Sequence, residues 1–122
     1  MLKRKNIIKI AIDSPAAAGA GTQAKLISKH YNLLQLDTGR IYRILAYIKI
    51  KKPEKFNYNF LRKKINTLKI SSLHDKKLDS DEVAIVASLI AKDKKIRKLV
   101  YAFQLKCAYN PPKKYAGSCL DG

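Results

Sequence analysis

Three short apolar runs recur along the chain, and each ends next to small or acidic residues. Residues 7–12 are mostly β-branched, residues 33–36 are rich in leucine, and residues 115–120 are mostly small, between Tyr115 and Leu120. Short apolar runs bounded by turn residues are typical of buried strands in a parallel sheet. We therefore predict three strands at these positions.

The segments between these runs repeat apolar residues at helical spacing. We predict helices over residues 22–31, 41–50, 60–70 and 95–109, joined by a polar connector at 51–59 and an exposed turn region at 71–80. A further helix begins after Ser80, whose hydroxyl fits an N-cap, with Asp81 and Glu82 in the first turn. Strand, loop, helix and strand within the first 36 residues predict a βαβ unit and a parallel sheet.

The composition limits the class of protein. A chain of 122 residues suits one compact domain, and 47% hydrophobic residues can form a core. No apolar run approaches the ~20 residues of a membrane span, so we expect no membrane association. The N-terminal apolar run is interrupted by Lys9 and followed by Asp13, which argues against a signal peptide. Cys107 and Cys119 lack metal-ligand spacing, and two isolated thiols indicate a reduced, cytoplasmic protein. We also expect the protein to be a monomer.

The net charge of +17 comes from 26 basic and 9 acidic residues. Clustered lysine and arginine would indicate a nucleic-acid partner. Here the lysines are scattered, only 5 of the basic residues are arginine, and isoleucine, asparagine and tyrosine are also abundant, as in AT-rich coding sequences. We therefore favour compositional drift and expect no dedicated nucleic-acid surface, although the charge attracts any polyanion weakly.

The stretch IIKIAIDSPAAAGAGTQAK has the layout of a phosphate-binding loop. Such loops bind phosphate through backbone N–H groups and a helix N-terminus, with a lysine on the outer phosphates and a hydroxyl on Mg²⁺. Gly19, Gly21 and Thr22 fit this pattern, but Ala20 stands where the lysine is expected. Taken alone, the stretch fits a glycine turn of any α/β protein equally well. Lys9 and Lys25 are candidates to supply the missing charge.

A second cluster, LDTGRIYR at residues 36–43, follows the second strand. It offers the carboxylate of Asp37, the hydroxyl of Thr38, a glycine turn and then Arg43, whose guanidinium can hold a phosphate bidentately. Arg43 alone would be taken as a solvated helix position. Its combination with the upstream loop favours a phosphate site.

With both motifs in order, the chain resembles the nucleoside monophosphate kinases, and specifically the bacterial cytidylate (CMP) kinases. The family pattern GPAxxGKGT is matched at the end of the first strand and LD[ST]GxxYR at residues 36–43. SDEVAIVASLIAKDKKIRKLV is similar to the family's TEEV…ASxVAxxPxVR, and SCLDG to the start of its xxDGRDIGT. GTQAKLISKHY alone fits an adenylate kinase equally, whereas Tyr42 and Arg43 favour the cytidylate branch.

The resemblance implies an α/β fold, a P-loop parallel sheet with flanking helices, that transfers the γ-phosphoryl of ATP, with Mg²⁺, to CMP or dCMP. It implies a P-loop core at 1–50, a short, mostly helical CMP-binding insertion at 51–92, and a return helix and core strand at 93–122. We expect the C-terminal part with the lid to lie outside this sequence.

The resemblance also assigns residues to roles. Asp37 and Arg43 would be catalytic, and Thr22 would lie near the metal. Thr38 and Arg43 would bind the phosphate of CMP, and Ser88 and Arg97 its cytosine. Thr38 could otherwise be a helix cap, Ser88 a buried small residue and Arg97 a solvated charge. The residues assigned to ATP are Ser14, Pro15, Ala16, Ala17, Ala18, Gly19, Ala20, Gly21 and Thr22.

Three departures from the family pattern matter for activity: Ala20 replaces the P-loop lysine, the CMP-binding insertion is short, and the family's lid is not within these 122 residues. We therefore expect the 122 residues to bind a phosphate but not to phosphorylate CMP. The alternatives are another nucleoside monophosphate kinase, adenylate kinase-like, or a nucleotide-binding protein with a degenerate P-loop.

Overall fold

The computed structural model describes residues 7–12, 20–111 and 113–121, with side chains described at all of these except 12, 20–23 and 121. Five α-helices and three strands lie in these ranges, and three short 3-10 helices lie at Pro53–Lys55, Ile70–His74 and Lys76–Leu78. The main elements are β1 (Ile8–Ile12), α1 (Ala20–Tyr31), β2 (Leu33–Asp37), α2 (Thr38–Lys51), α3 (Tyr58–Asn66), α4 (Asp81–Ile90), α5 (Lys94–Tyr109) and β3 (Gly117–Asp121).

The three strands form a parallel sheet in the order β1-β3-β2. The predicted parallel sheet is thus confirmed, and β3 lies between the two strands of the predicted βαβ unit. Gly117 begins β3 opposite Ile8 and Leu33. A Cβ atom at Gly117 would lie 1.9 Å from the Ile8 carbonyl oxygen, so the first pair of this ladder requires glycine.

The turn from α1 into β2 is made by Asn32, whose φ of 55° lies in the left-handed region. Asparagine tolerates this conformation better than other residues with a Cβ atom. Its side-chain amide donates to the Lys114 carbonyl at 2.8 Å, and its own carbonyl accepts from Ala116 N–H at 2.8 Å. Asn32 therefore ends the helix and joins it to the residues that precede β3.

Two compact units divide the chain, one of residues 1–38 and 104–122 and the other of residues 39–103. We call them the sheet unit and the helical unit. The division falls inside α2 and α5. The resemblance implies a P-loop core, a CMP-binding insertion and a return segment. These three functional segments stay a prediction, because a division into compact units does not show which ligand each segment binds.

The core of the sheet unit is formed by α1 and the sheet. Ala24, Leu33 and Cys119 are buried in one cluster. Ile10, Ile27 and Ala116 pack against it. The apolar faces predicted for the first helix and for the strands thus meet in the structure.

In the helical unit, the prediction of an exposed turn region at residues 71–80 is wrong. Residues 71–80 are not a wholly exposed turn, because Leu73 and Leu78 are 2% and 1% exposed within the two 3-10 helices. The segment is too short and polar to show this by periodicity. Ser80 does cap α4, since its hydroxyl accepts from Val83 N–H at 3.2 Å.

In the part of the chain that the structure describes, no helix is both long and apolar enough to span a membrane.

Candidate functional site

Six of the residues assigned to ATP lie outside the described part of the chain, and they are Ser14, Pro15, Ala16, Ala17, Ala18 and Gly19. Ala20, Gly21 and Thr22 begin α1, and their side chains are not described. The first turn of α1 holds no acidic residue. The partial positive charge of a helix N-terminus favours anions, and no acidic residue of this turn counteracts it.

Two aspartates share one level at the carboxyl edge of the sheet. Asp37 ends β2 in register with Asp121, the last residue of β3, and Ile12 of β1 lies at the same level. Asp37 is exposed. Ligands of open parallel sheets bind at this edge, so the fold places the predicted catalytic Asp37 where a ligand is expected.

Thr38 is the first residue of α2, and its hydroxyl accepts a hydrogen bond from the side-chain amide of Gln104 on α5. Gln104 is not among the site residues predicted from the sequence. It lies 66 residues away along the chain, and no motif marks it. The structure thus gives the Thr38 side chain a tertiary partner within the sheet unit.

Arg43 is half-buried in the helical unit, and its guanidinium donates to the Leu78 carbonyl at 2.8 Å. It is therefore not a merely solvated helix position. A guanidinium carries five N–H donors, so one bond to a carbonyl leaves donors for an anion.

Arg40, which is not among the predicted site residues, makes a larger set of contacts than Arg43. Its guanidinium donates to the carbonyls of Leu73 at 2.7 Å and Asp75 at 3.1 Å, and it pairs with the Asp79 carboxylate. The hydrogen bond from Arg40 is the main reason that the pKa of Asp79 lies below its ordinary value. The spacing of three residues between Arg40 and Arg43, which places them on one helix face, was the available signal.

Ser88 and Arg97, which the resemblance assigns to cytosine, are both exposed. The Ser88 hydroxyl donates to the Ala84 carbonyl of its own helix at 3.1 Å, so it is not a buried small residue. Arg97 acts electrostatically on Tyr42. Burial raises the pKa of Tyr42, and the charge of Arg97 opposes that rise. Tyr42 of the YR motif therefore lies within electrostatic range of Arg97, whereas the roles of Ser88 and Arg97 stay predictions.

The two candidates for the missing P-loop charge differ in their surroundings. The Lys9 ammonium lies 4.9 Å from the centre of the Tyr109 ring, at cation–π distance. Lys25 is exposed on α1. Among the described residues, no cluster of three or more His, Cys, Asp or Glu side chains could hold a metal ion.

Comparison with known proteins agrees with the motifs. A model of the family described as cytidylate kinase matches residues 10–113. A cytidylate kinase of Bradyrhizobium sp. (strain ORS 278) is 38% identical over 114 residues, which cover 93% of this chain and 52% of the relative. A cytidylate kinase of Geobacillus sp. (strain WCH70) is 33% identical over 133 residues, with 97% of this chain and 57% of the relative covered.

A third relative, a bifunctional pantoate ligase/cytidylate kinase of Prochlorococcus marinus (strain MIT 9301), is 36% identical over 124 residues that cover 87% of this chain and 24% of the relative. The chain spans about half the length of the single-function relatives that it matches. The family model covers both motifs and the helices that follow them. The chain therefore belongs to the cytidylate kinase family.

Proposed function

We propose that the protein to which this chain belongs transfers the γ-phosphoryl group of ATP to CMP or dCMP in the cytoplasm, giving ADP and CDP or dCDP. The observation that carries the proposal is the family match over residues 10–113, which includes the LDTGRIYR motif. Phosphoryl transfer of this kind depends on positioning and charge neutralisation, without a covalent intermediate on the protein.

The residues of the sheet unit suit the phosphate side of this reaction. The first turn of α1 contains no acidic residue, and the exposed Asp37 ends β2. Oxygen ligands of this type are preferred by Mg²⁺, so we assign Asp37 and the Thr22 hydroxyl to the metal that accompanies ATP. Bound Mg²⁺ would neutralise charge on the phosphates.

The residues of the helical unit suit the acceptor. Arg43 is held by the Leu78 carbonyl while it keeps further N–H donors, and we assign it to the CMP phosphate. Ser88 and Arg97 are accessible to a ligand. We assign both to the cytosine ring, as the resemblance implies.

The test is ADP formation in a coupled assay with CMP, UMP and AMP offered separately as acceptors. It compares the 122-residue chain with the product of the gene read past codon 122. We expect CMP-dependent turnover from the longer protein and nearly none from the 122 residues. Absence of CMP-dependent turnover from the longer protein contradicts the proposed reaction, and a preference for AMP favours the adenylate kinase alternative.

A matched pair of arginine variants tests the acceptor assignment. Arg43→Lys should lower kcat/KM for CMP by at least about tenfold, because the bidentate fork is lost while a donor and its charge remain. Arg62→Lys on the exposed face of α3 is the control and should change kcat/KM less than about twofold. Equal effects of the two substitutions would contradict the role of Arg43.

A second candidate function is nucleotide binding without catalysis, and Ala20 at the lysine position favours it. In that case Ala20→Lys should create turnover in a longer protein that shows none. If the unsubstituted longer protein is already active and Ala20→Lys adds nothing, another cation already fulfils this role.

A further inference from the structure

A cavity of about 270 Å³ lies within the helical unit, between α2, α3 and the residues 70–78. None of the residues assigned to CMP lines it. Its inner wall is apolar, since Ile44 and Leu78 are buried, and the half-buried rings of Tyr47 and Phe60 face it. The cavity is therefore a separate concave surface with an aromatic lining.

Five lysines line this cavity, and they are Lys51, Lys52, Lys55, Lys64 and Lys77. Asp75 is the single acidic residue among the described lining residues, and its carboxylate already pairs with the Lys77 ammonium at 3.5 Å. The lining thus carries an excess of positive charge. Like charges gathered at one site repel each other, and an anion that enters between them removes this repulsion.

The lysines also lie close to the aromatic rings. The ammonium of Lys77 is 4.9 Å and that of Lys51 is 5.9 Å from the centre of the Tyr47 ring, while that of Lys55 is 5.7 Å from the Phe60 ring. Cation–π contacts of this kind hold flexible lysines near an apolar surface. Positive charge and flat apolar surface therefore occur together at one site.

One wall of the cavity is fixed in place by α2. The Arg40 guanidinium donates to the Asp75 carbonyl at 3.1 Å, and that of Arg43 donates to the Leu78 carbonyl at 2.8 Å. Asp75 and Leu78 both line the cavity. Their backbone is thus tied to a helix, and a preformed site loses less conformational entropy when it binds a ligand.

We propose that this cavity binds a nucleotide carrying two or more phosphates, at a site separate from the CMP residues. The base contacts the Tyr47 and Phe60 rings, and the phosphates lie among the lysines at the open rim. The volume of about 270 Å³ lies just below the ~300–1,000 Å³ usual for small-molecule sites, which suits a base with its phosphates outside. Charge complementarity selects phosphate, and the aromatic lining selects the flat ring.

The test uses a fluorescent reporter inside the cavity. The chain contains no tryptophan, so Phe60→Trp introduces a single indole at the lining. ATP, inorganic pyrophosphate and adenosine are titrated into this variant. We expect a saturable change with ATP, and binding at least about tenfold weaker for pyrophosphate, which lacks the base, and for adenosine, which lacks the charge.

A matched pair of double variants in this background locates the charge. Lys55→Gln with Lys64→Gln should weaken ATP binding at least about tenfold. The control is Lys92→Gln with Lys98→Gln, which removes the same charge from exposed lysines of the helical unit outside the cavity lining. It should change the affinity less than about twofold.

Three results would overturn the proposal: no saturable change with ATP, equal weakening by the two double variants, or pyrophosphate binding as tightly as ATP. If circular dichroism shows that Phe60→Trp does not fold, the titration is followed in the unsubstituted chain by the NMR shifts of the backbone amides of residues 60–64 and 76–78. Kinase activity does not enter this test, so its outcome is independent of the proposed reaction.

Discussion

Replacing Arg40 by alanine removes the most connected side chain of the helical unit. The guanidinium donates to the Leu73 carbonyl at 2.7 Å and the Asp75 carbonyl at 3.1 Å and pairs with Asp79, while its side chain is 19% exposed. The bond to the partly buried Leu73 carbonyl contributes about 1.5–3 kcal/mol. The exposed bond to the Asp75 carbonyl adds about 0.5–1 kcal/mol, and solvent screens the exposed pair with Asp79. Arg40→Ala should therefore lower the free energy of unfolding by about 2–4 kcal/mol.

Urea unfolding followed by far-ultraviolet circular dichroism measures this change. With an m-value of about 2 kcal/mol/M, the middle of the usual range, the midpoint should fall by roughly 1–2 M. Arg40→Lys keeps a charge near Asp79 but loses the planar fork that reaches two carbonyls, so it should recover less than half of the loss. The exposed Arg62 of α3 provides the control, because Arg62→Ala should change the free energy by less than about 0.5 kcal/mol.

The pH dependence gives a second check on the same side chain. The pKa of Asp79 is lowered, chiefly by its hydrogen bond from Arg40. A carboxyl group with a lowered pKa in the folded state stabilises the fold above its unfolded pKa of about 3.9, and this stabilisation is lost as the pH falls through the folded pKa. The difference between the unsubstituted chain and Arg40→Ala should therefore shrink on acidification. The reasoning on Arg40 would be refuted if Arg40→Ala lowered the free energy of unfolding by less than about 0.5 kcal/mol, or if Arg40→Lys restored it fully.

Three further measurements test the fold. Gly117→Ala should destabilise the chain by about 2–4 kcal/mol in urea unfolding, because the added Cβ would lie 1.9 Å from the Ile8 carbonyl oxygen; a loss below about 1 kcal/mol would contradict this close approach. Ser80→Ala should lower the free energy of unfolding by about 1 kcal/mol, because the hydrogen bond from Val83 N–H is lost, whereas Ser80→Asp should preserve the cap and the stability. Burial raises the pKa of Cys107 to about 11, so its thiol should react slowly with a disulfide reagent at neutral pH until urea unfolds the chain; fast reaction of the folded protein would show that the thiol is accessible.

Much of the fold could be predicted from local sequence. The three strands and five α-helices lie where the apolar pattern places them, with differences of a few residues at their ends. The pattern works because a buried strand or an amphipathic helix must repeat apolar residues at its own period. The two motifs likewise indicated the family, because their glycine, hydroxyl and arginine spacings are local in the chain. Residues 71–80 escaped prediction, because 3-10 helices of three to five residues are too short for a periodic signal.

The placement of β3 between β1 and β2, and the partners of the site residues, were decided by tertiary structure. Thr38 meets Gln104 across 66 residues of sequence, and Arg40 and Arg43 reach carbonyls more than 30 residues away. Lysines that are scattered along the chain gather around one cavity because the helices that carry them pack together. Sequence alone determined which segments form the α-helices and the strands. Only folding decided which distant side chains share a surface, because such contacts follow from packing and leave no local period in the chain.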